Sequence, residues 1–482
     1  MRAGAYVGLQ MAAQAQVDFG GILRPQGRLD PETALAPHRG TLGTRAAAHL
    51  LRRAGFGGTP DAIRRYAAMR ADDAADSLLA FPSAASIEPP SPLDDLLGLP
   101  KGDRMRAQRE SLAELQLWWL NRMLTSPAPL QEKMTLYFHG HFTSRATPRF
   151  PRITYTQNAL FRRWASGSLR ELTREVSKDP AMLVYLNGAG SVKSAPNENY
   201  ARELMELFTL GVDRYSENDV RESARAWTGW RVDRRTASAT FVPALHDYGR
   251  KTFLGRSGDF DGDDIVDIIF DQKQCARFFA ASLLNWFVYN DPEPELVDGI
   301  AALLTKHDYE LTPVLATMLR SNVFYSERAY RALVKSPVEF VVGTYAALGL
   351  PTVDPLAIPA LVQMGQRLYF PPSVAGWPGG SNWLTSGTMI ARQNFLVRLL
   401  GSQTLESSTW LRDVPVSPSS AAGMLGETLL QGDIAPASLV EMDRYLAGAG
   451  SAALATLSVE NYGERVSGAA YLAMATPAYQ LN

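Results

Sequence analysis

The segment NENYARELMELFTLG, residues 197–211, gathers the carboxylates best placed for chemistry. At about 100° of helical rotation per residue, Asn199, Glu203, Glu206 and Leu210 share one narrow stripe, opposite the apolar residues of the segment. Side chains one turn apart have Cβ atoms about 5–6 Å apart, and glycosidic cleavage needs a proton donor and a second carboxylate at a comparable separation. The segment therefore predicts a catalytic Glu203–Glu206 pair, with a solvent-exposed acidic face as the alternative.

Charged residues near the pair extend this prediction. Arg202 is expected to contact one of the two glutamates and not the other, because a positive charge favours the ionised carboxyl. Such a contact would separate a base from an acid. Further candidates for a catalytic role are Glu198, His139 and Asp247.

Residues that could bind a sugar occur in several separate blocks. Trp377 and Trp383 lie in the Pro/Gly-rich loop PPSVAGWPGGSNW and suit stacking on a flat ligand, although tryptophans also plug the core beneath such loops. The other candidates for substrate binding are Asn199, Arg145, Arg202, His246, Asn382 and Arg392. The residues expected to line one concave site are His139, His141, Glu203, Glu206, His246 and Trp377.

The histidines of YFHGHF allow a second interpretation. If Gly140 ends the helix, His139 and His141 can both reach one divalent metal ion, with a glutamate of the pair and an open position for water. Otherwise one histidine caps the helix and the other packs in the core. The first hypothesis is thus a carbohydrate-active hydrolase without a cofactor, acting on a bacterial or environmental polysaccharide. The alternatives are a metal-dependent hydrolase or oxidoreductase, and a non-catalytic polymer-binding surface protein.

The elements that must position these residues are mostly helical. Amphipathic helices are predicted at 110–126, 130–142, 274–288, 294–306, 312–321, 387–403, 435–447 and 464–474. Ser216 with Asp219 and Ser336 with Glu339 have the spacing of capping boxes, and 231–255 is the best candidate for a short β-hairpin. We expect a mostly α fold: an irregular arm at 1–40, a large catalytic-type helical domain at 41–400 with long loops and a small hairpin, and helices at 401–482 packed on it.

Composition narrows the classes of protein. The chain has 482 residues, 46% hydrophobic and 20% charged, with a net charge of −1, so no strong field favours nucleic acid. Cys275 is the single cysteine, which excludes a disulfide framework and a cysteine-rich zinc site. A run of about 18 apolar residues is absent, so no membrane span is predicted. The N-terminus, MRAGAYVGLQMAAQAQ, is a poor signal peptide.

Several motif blocks carry a family resemblance. They are HLLRRAGFGGTP, LYFHGHFTSR, NENYARELMELFTLGVDRYSENDVRESARAWTGW, HDYGRKTFLG and YFPPSVAGWPGGSNW. With these, residues from about 44 to 400 resemble the Domain of Unknown Function 1800 family of bacterial proteins. The resemblance implies a periplasmic or secreted protein, although the weak N-terminal signal leaves a cytoplasmic location open. It also implies a partner that resembles the Domain of Unknown Function 1501 family, itself similar to alkaline phosphatases and sulfatases.

Overall fold

The computed structural model describes residues 31–81, 87–90, 93, 95–401, 404–448, 457 and 461–482. The fold is mostly α, as the sequence predicts, and long loops join the helices. The α-helices are Pro31–Ala34, Gly43–Arg53, Pro60–Ala67, Ala71–Leu79, Lys101–Thr125, Pro129–His141, Pro151–Arg163, Leu169–Ser177, Pro180–Tyr185, Glu198–Glu203, Glu217–Ala226, Gly262–Phe270, Lys273–Phe287, Pro294–Lys306, Leu311–Arg320, Pro337–Ala347, Ala357–Gln363, Ser386–Leu400, Thr404–Ser407, Pro418–Leu430, Pro436–Ala447 and Tyr462–Ala475.

Strands are short and few. Two antiparallel hairpins occur in the described residues, Trp230–Asp233 with Ser238–Phe241 and Lys251–Phe253 with Arg256–Gly258. The region predicted as one hairpin, 231–255, therefore contains the first hairpin and the start of a second. The remaining helical turns are a π-helix at Leu204–Thr209 and 3₁₀ turns at Asp95–Gly98, Gly188–Gly190, Pro243–Leu245, Gly380–Leu384, Leu411–Asp413 and Pro477–Gln480.

Helix starts follow from local side-chain chemistry. The Ser216 hydroxyl accepts the N–H of Asp219, whose carboxylate accepts the Ser216 N–H, so the predicted capping box is confirmed. Ser336 and Glu339 form the same arrangement at the start of Pro337–Ala347. These reciprocal bonds satisfy backbone donors that the first helical turn leaves without partners.

Two large apolar clusters of side chains form most of the core in the described residues, and Pro129–His141 contributes to both. Phe138 belongs to the first cluster and Leu136 to the second. The second cluster also takes in Pro337–Ala347 and the helices after residue 417. No helix among the described residues has both the length and the apolar composition required to cross a bilayer.

Residues 1–30 of the predicted N-terminal arm, 1–40, lie outside the described residues. They include the weak signal-like stretch. The described end of the arm is attached to the helical body by backbone hydrogen bonds. Val323 N donates to Ala34 O at 2.9 Å, and His38 N donates to Arg320 O at 2.7 Å.

Candidate functional site

The acidic segment changes helix type in its middle. It is α-helical over Glu198–Glu203 and π-helical over Leu204–Thr209, and Asn197 caps its start. A π turn takes more residues than an α turn, so the prediction of one continuous stripe that includes Leu210 is wrong: Leu210 is buried. Short π segments within helices frequently occur at functional sites, because they redirect side chains.

Glu203 lies half-buried on the solvent side of this segment. Its pKa is raised, first by burial and then by the charge of Glu206, while Arg202 acts in the opposite direction. Tyr185 lies within electrostatic range of both Glu203 and Arg145. Burial and the charge of Glu206 thus favour the neutral form of the Glu203 carboxyl over its anion.

Glu206 has a different neighbour. The Tyr215 hydroxyl donates to Glu206 Oε2 at 2.5 Å, and such a bond stabilises the carboxylate. Arg202 does not bridge to either member of the pair. It donates to both Glu217 oxygens at 2.7 and 2.9 Å and lies 3.6 Å from Glu198, so its predicted contact with one member of the pair is wrong.

Two exposed arginines, Arg145 and Arg367, lie beside one aromatic ring. The Arg367 guanidinium is 3.8 Å from the Phe370 ring centroid and that of Arg145 is 5.8 Å from it. Burial, followed by the charge of Arg145, lowers the pKa of Arg367. Neither arginine has a carboxylate within 4.0 Å in the described part of the chain. The two side chains therefore form a small positive patch around an aromatic ring.

The predicted tryptophan loop closes one side of a cleft of about 270 Å³. Trp377 and Trp383 line it, but Trp383 is only 5% exposed, so this ring has no open face for stacking. Gly376 brings the loop against the helix Pro129–His141. Its φ is +79°, and a Cβ there would lie 2.6 Å from Gly140 O. Asn382 is exposed and donates to Gly379 O.

The paired histidines point into different surroundings. The helix continues through Gly140 to His141, so the predicted break is absent and the two rings diverge. His139 is buried and its Nε2 accepts the Tyr369 N–H at 3.1 Å; His141 Nε2 donates to Phe208 O at 2.8 Å. Burial lowers the pKa of His139 to about 3 and that of His141 to about 4.

Both rings are held by aromatic neighbours. His139 contacts Trp119, Tyr369 and Trp377, and only His141 borders the cleft. In the residues that the structure describes, no three His, Cys, Asp or Glu side chains are grouped closely enough to hold a metal ion. The two histidines therefore do not form the shared ligand pair that the metal interpretation requires.

The side chains of Asp247 and His246, in the HDYGRK block, form hydrogen bonds with neighbouring parts of the protein. The Asp247 carboxylate accepts hydrogen bonds from Arg225 Nε at 2.7 Å and from Arg225 Nη2 at 3.2 Å. The hydrogen bonding of Arg225 is the largest of several effects that lower the pKa of Asp247. His246 is buried and its Nδ1 donates to Thr228 O at 2.9 Å. The expectation that His246 joins His141 and Trp377 in one concave site is wrong, since it does not line their cleft.

The remaining candidates separate into core and surface. Arg392 is fully buried, donates to Lys335 O at 2.7 Å and to Gln480 Oε1 at 3.2 Å, and is unsuited to touch a substrate. Asn199 is exposed at the start of the acidic helix. The predicted residues thus occur in three places: the carboxylate pair, the aromatic cleft and the interior.

The family model described as "Protein of unknown function (DUF1800)" matches residues 49–481. The chain belongs to this family. The match extends beyond residue 400, so the C-terminal helices are part of the DUF1800 unit. Comparison with curated proteins and with solved structures gave no match.

This DUF1800 protein also contains a larger cavity that sequence reasoning missed. It measures about 730 Å³ and is bordered by Asp179, Arg162, Tyr155 and Trp230 among others. Burial raises the pKa of Asp179 to about 7, although its carboxylate accepts the N–H groups of the helix that it caps. An Asp before a Pro is an ordinary helix-start signal, so the sequence gives no sign that this carboxyl borders a cavity.

Proposed function

We propose that this DUF1800 protein hydrolyses an acidic polysaccharide, with Glu203 as the proton donor and Glu206 as the second carboxylate. The observation that carries the proposal is the unequal environment of the pair. Burial and a like charge raise the pKa of Glu203, while Tyr215 donates a hydrogen bond to Glu206. Glycosidic cleavage requires one carboxyl that donates a proton and a second that acts as a carboxylate, and these surroundings suit the two roles.

In the proposed reaction Glu203 protonates the glycosidic oxygen as the bond to the anomeric carbon breaks. Glu206 acts in its ionised form, either by removing a proton from the attacking water or by attacking the anomeric carbon itself. The anomer released first distinguishes these two courses. In both courses water supplies the hydroxyl of the new reducing end. If Glu206 is the base, it releases the proton of this water to solvent and Glu203 takes one up from solvent; if Glu206 is the nucleophile, Glu203 takes the proton directly from the water that hydrolyses the glycosyl–enzyme.

The acidic character of the substrate follows from the positive patch. Arg145 and Arg367 flank the Phe370 ring and have no carboxylate within 4.0 Å among the described residues. Guanidinium groups bind carboxylates strongly, and an aromatic ring between them provides a face for a sugar. A uronic acid residue combines these two features.

The segment 366–377, which carries Arg367 and Phe370, extends the proposed binding surface. Gln366 borders the aromatic cleft, Arg367 and Phe370 belong to the patch, and Trp377 borders the cleft again. A polymer bound at the patch would therefore have an aromatic cleft on the same loop for further sugar units. This arrangement favours a polymeric over a monomeric substrate.

The direct test is release of reducing ends from uronic-acid polysaccharides, measured in the presence of a chelator. We expect activity in the wild type and a loss of roughly 100-fold or more in kcat for Glu203→Gln and Glu206→Gln. Glu217→Gln is the matched control, since Glu217 is an exposed acid paired with Arg202 and should retain activity. Arg145→Met should raise KM with little change in kcat.

Two results would overturn the proposal. Full activity in both glutamine variants would remove the carboxylate pair from the mechanism. Saturable binding of the polysaccharide without any cleavage by the wild type would instead identify a non-catalytic binding protein, for which the aromatic cleft is the supporting feature.

A further inference from the structure

A group of positive side chains is buried between the N-terminal and C-terminal parts of the chain. The group, called the basic cluster below, consists of Arg52, Arg53, Lys133, Arg331, Lys335 and Arg392, each at most 9% exposed. Burying a cation removes its hydration and is strongly unfavourable unless a partner compensates the charge. The charge partners of the cluster therefore decide what it can do.

Among the described residues, only two of these cations have a carboxylate within 4.0 Å. Lys133 bonds to Glu339, and Arg331 donates to Asp433 at 2.9 Å. The other four cations, Arg52, Arg53, Lys335 and Arg392, have no carboxylate within 4.0 Å among the described residues. The cluster is thus short of negative charge.

Two of the unpaired cations face the same small cavity. Arg52 and Lys335 line a space of about 30 Å³. Arg52 uses Nη1 to bond Gln431 at 2.7 Å, but its Nε and Nη2 are buried and have no partner in the described residues. Lys335 Nζ lies 4.0 Å from the Tyr479 ring centroid and has no hydrogen-bond acceptor among those residues. Unused donors from two side chains therefore border one space.

Size and lining limit what this space can hold. A volume of about 30 Å³ is enough for an ion of roughly the size of a water molecule. Part of the wall is apolar, from Phe56, Ile63 and Leu429, which suits an anion that sheds its hydration easily. We propose that this cavity is a binding site for a halide-sized anion, chloride above all, held by Arg52 and Lys335.

The first family motif explains how the wall is built. HLLRRAGFGGTP supplies Arg52 and then the turn at Gly57, whose φ is +102°. The backbone of this turn approaches Pro337–Ala347 so closely that a Cβ on Gly343 would lie 2.9 Å from Phe56 O. Burial and the neighbouring Arg52, Arg331 and Arg392 lower the pKa of Lys335, and Glu339 acts in the opposite direction, so the positive neighbours outweigh the negative one.

The test is the melting temperature of the full chain as sodium gluconate is replaced by sodium chloride or bromide at constant ionic strength. We expect a saturable rise of about 2–5 °C, because the anion binds the folded state only. Lys335→Met removes one cation and keeps much of the side-chain volume. This variant should melt in gluconate at or above the wild-type temperature and should lose the chloride-dependent rise.

Lys133→Met is the matched control, since Lys133 is equally buried but pairs with Glu339 and does not border the cavity. It should melt lower in all buffers and keep the chloride-dependent rise. An independent readout is the anomalous signal of bromide in crystals of the wild type, expected beside Lys335 Nζ. A rise that is absent in the wild type, or equal in Lys335→Met, would overturn the proposal, as would bromide found only on the surface.

Discussion

Glu203 combines a proposed catalytic role with a cost in stability. Its pKa is raised above 4.5 in the folded chain, so between that pH and the raised pKa the folded state holds a proton that the unfolded state releases. Stability should therefore fall as pH rises through this window. Glu203→Gln mimics the protonated form, and we expect it to be more stable than the wild type at pH 7, by about 1 kcal/mol at most because the side chain is only half-buried.

Denaturant unfolding at pH 7 and pH 4 checks this expectation. Near pH 4 the Glu203 carboxyl is largely protonated in both the folded and the unfolded state. The difference in the free energy of unfolding between variant and wild type should therefore shrink. Glu217→Gln again serves as the comparison, since it loses an ion pair and should gain nothing at pH 7. A variant less stable than the wild type at pH 7 would show that Glu203 is held by favourable contacts as an anion.

Residue identity alone predicted the location of some groups and not of others. The capping residues Ser216 and Ser336 were predictable because their partners lie three residues away. The burial of Arg392 was not, since its partner Gln480 is 88 residues distant in the chain. His246 is similar: the Thr228 carbonyl that holds its ring is supplied by tertiary structure, which a local pattern does not encode.

At the scale of elements, the helical repeat predicted position but not helix type. The π turn at Leu204–Thr209 breaks the 3.6-residue period on which the predicted stripe depends. Gly140 was expected to end its helix, and the helix ends one residue later, at His141. The local preference of glycine therefore predicted the region of the helix end but not its last residue.

The contact between Gly376 and Gly140 gives a prediction about the tryptophan loop. Gly376→Ala places a methyl group 2.6 Å from Gly140 O at a φ of +79°, so the loop must move or the backbone must change. We expect a loss of about 1–3 kcal/mol in the free energy of unfolding and a higher KM for a polymer that reaches the cleft. Chemical denaturation and steady-state kinetics measure the two effects.

Gly387→Ala is the matched control for this loop. Gly387 lies in the helix Ser386–Leu400, and a Cβ there meets no atom within 4 Å, so alanine should leave stability unchanged or raise it slightly. Equal stability of Gly376→Ala and the wild type would show that the loop is not held at this point.

The helix Pro129–His141 contains His139, whose protonation makes the stability of the fold depend on pH. Because the pKa of His139 is about 3 when folded, the unfolded state binds a proton near pH 6.5 that the folded state does not. The stability from a neutral His139 is complete above pH 6.5 and is lost as pH falls toward 3. His139→Gln keeps an acceptor for Tyr369 N, and its stability should fall less between pH 6.5 and 4.5, by about 2 kcal/mol.

Denaturant melts of both proteins across this pH range provide the measurement. The lowered pKa of His141 also makes stability fall as pH falls, whereas the raised pKa of Asp179 has the opposite effect. The informative quantity is therefore the difference in stability between variant and wild type, and not the total dependence of stability on pH. Parallel curves for the two proteins would mean that His139 titrates normally in the folded chain.

At the scale of the whole molecule, the sequence predicts helices at 401–482 that pack on the domain at 41–400, and the structure shows the apolar cluster that the two parts share. Pro418–Leu430 and Tyr462–Ala475 share an apolar cluster with Pro337–Ala347. Val334 also pairs with Leu481 as a β-bridge, and Lys335 N donates to Gln480 O. The last two contacts join residues more than 140 positions apart, a distance at which periodicity carries no information.

A chain that ends at residue 400 should therefore fail to fold cooperatively. Truncation would expose the apolar side chains of Pro337–Ala347 and would remove Gln480, leaving the buried Arg392 without one of its two hydrogen-bond acceptors. An exposed apolar face and a less compensated buried cation both favour unfolding and association. We expect a low soluble yield and no cooperative thermal transition by circular dichroism, with the full chain as the reference. A monomeric fragment 1–400 that melts cooperatively at the wild-type temperature would contradict this, and the C-terminal helices would then be an appendage and not part of the core.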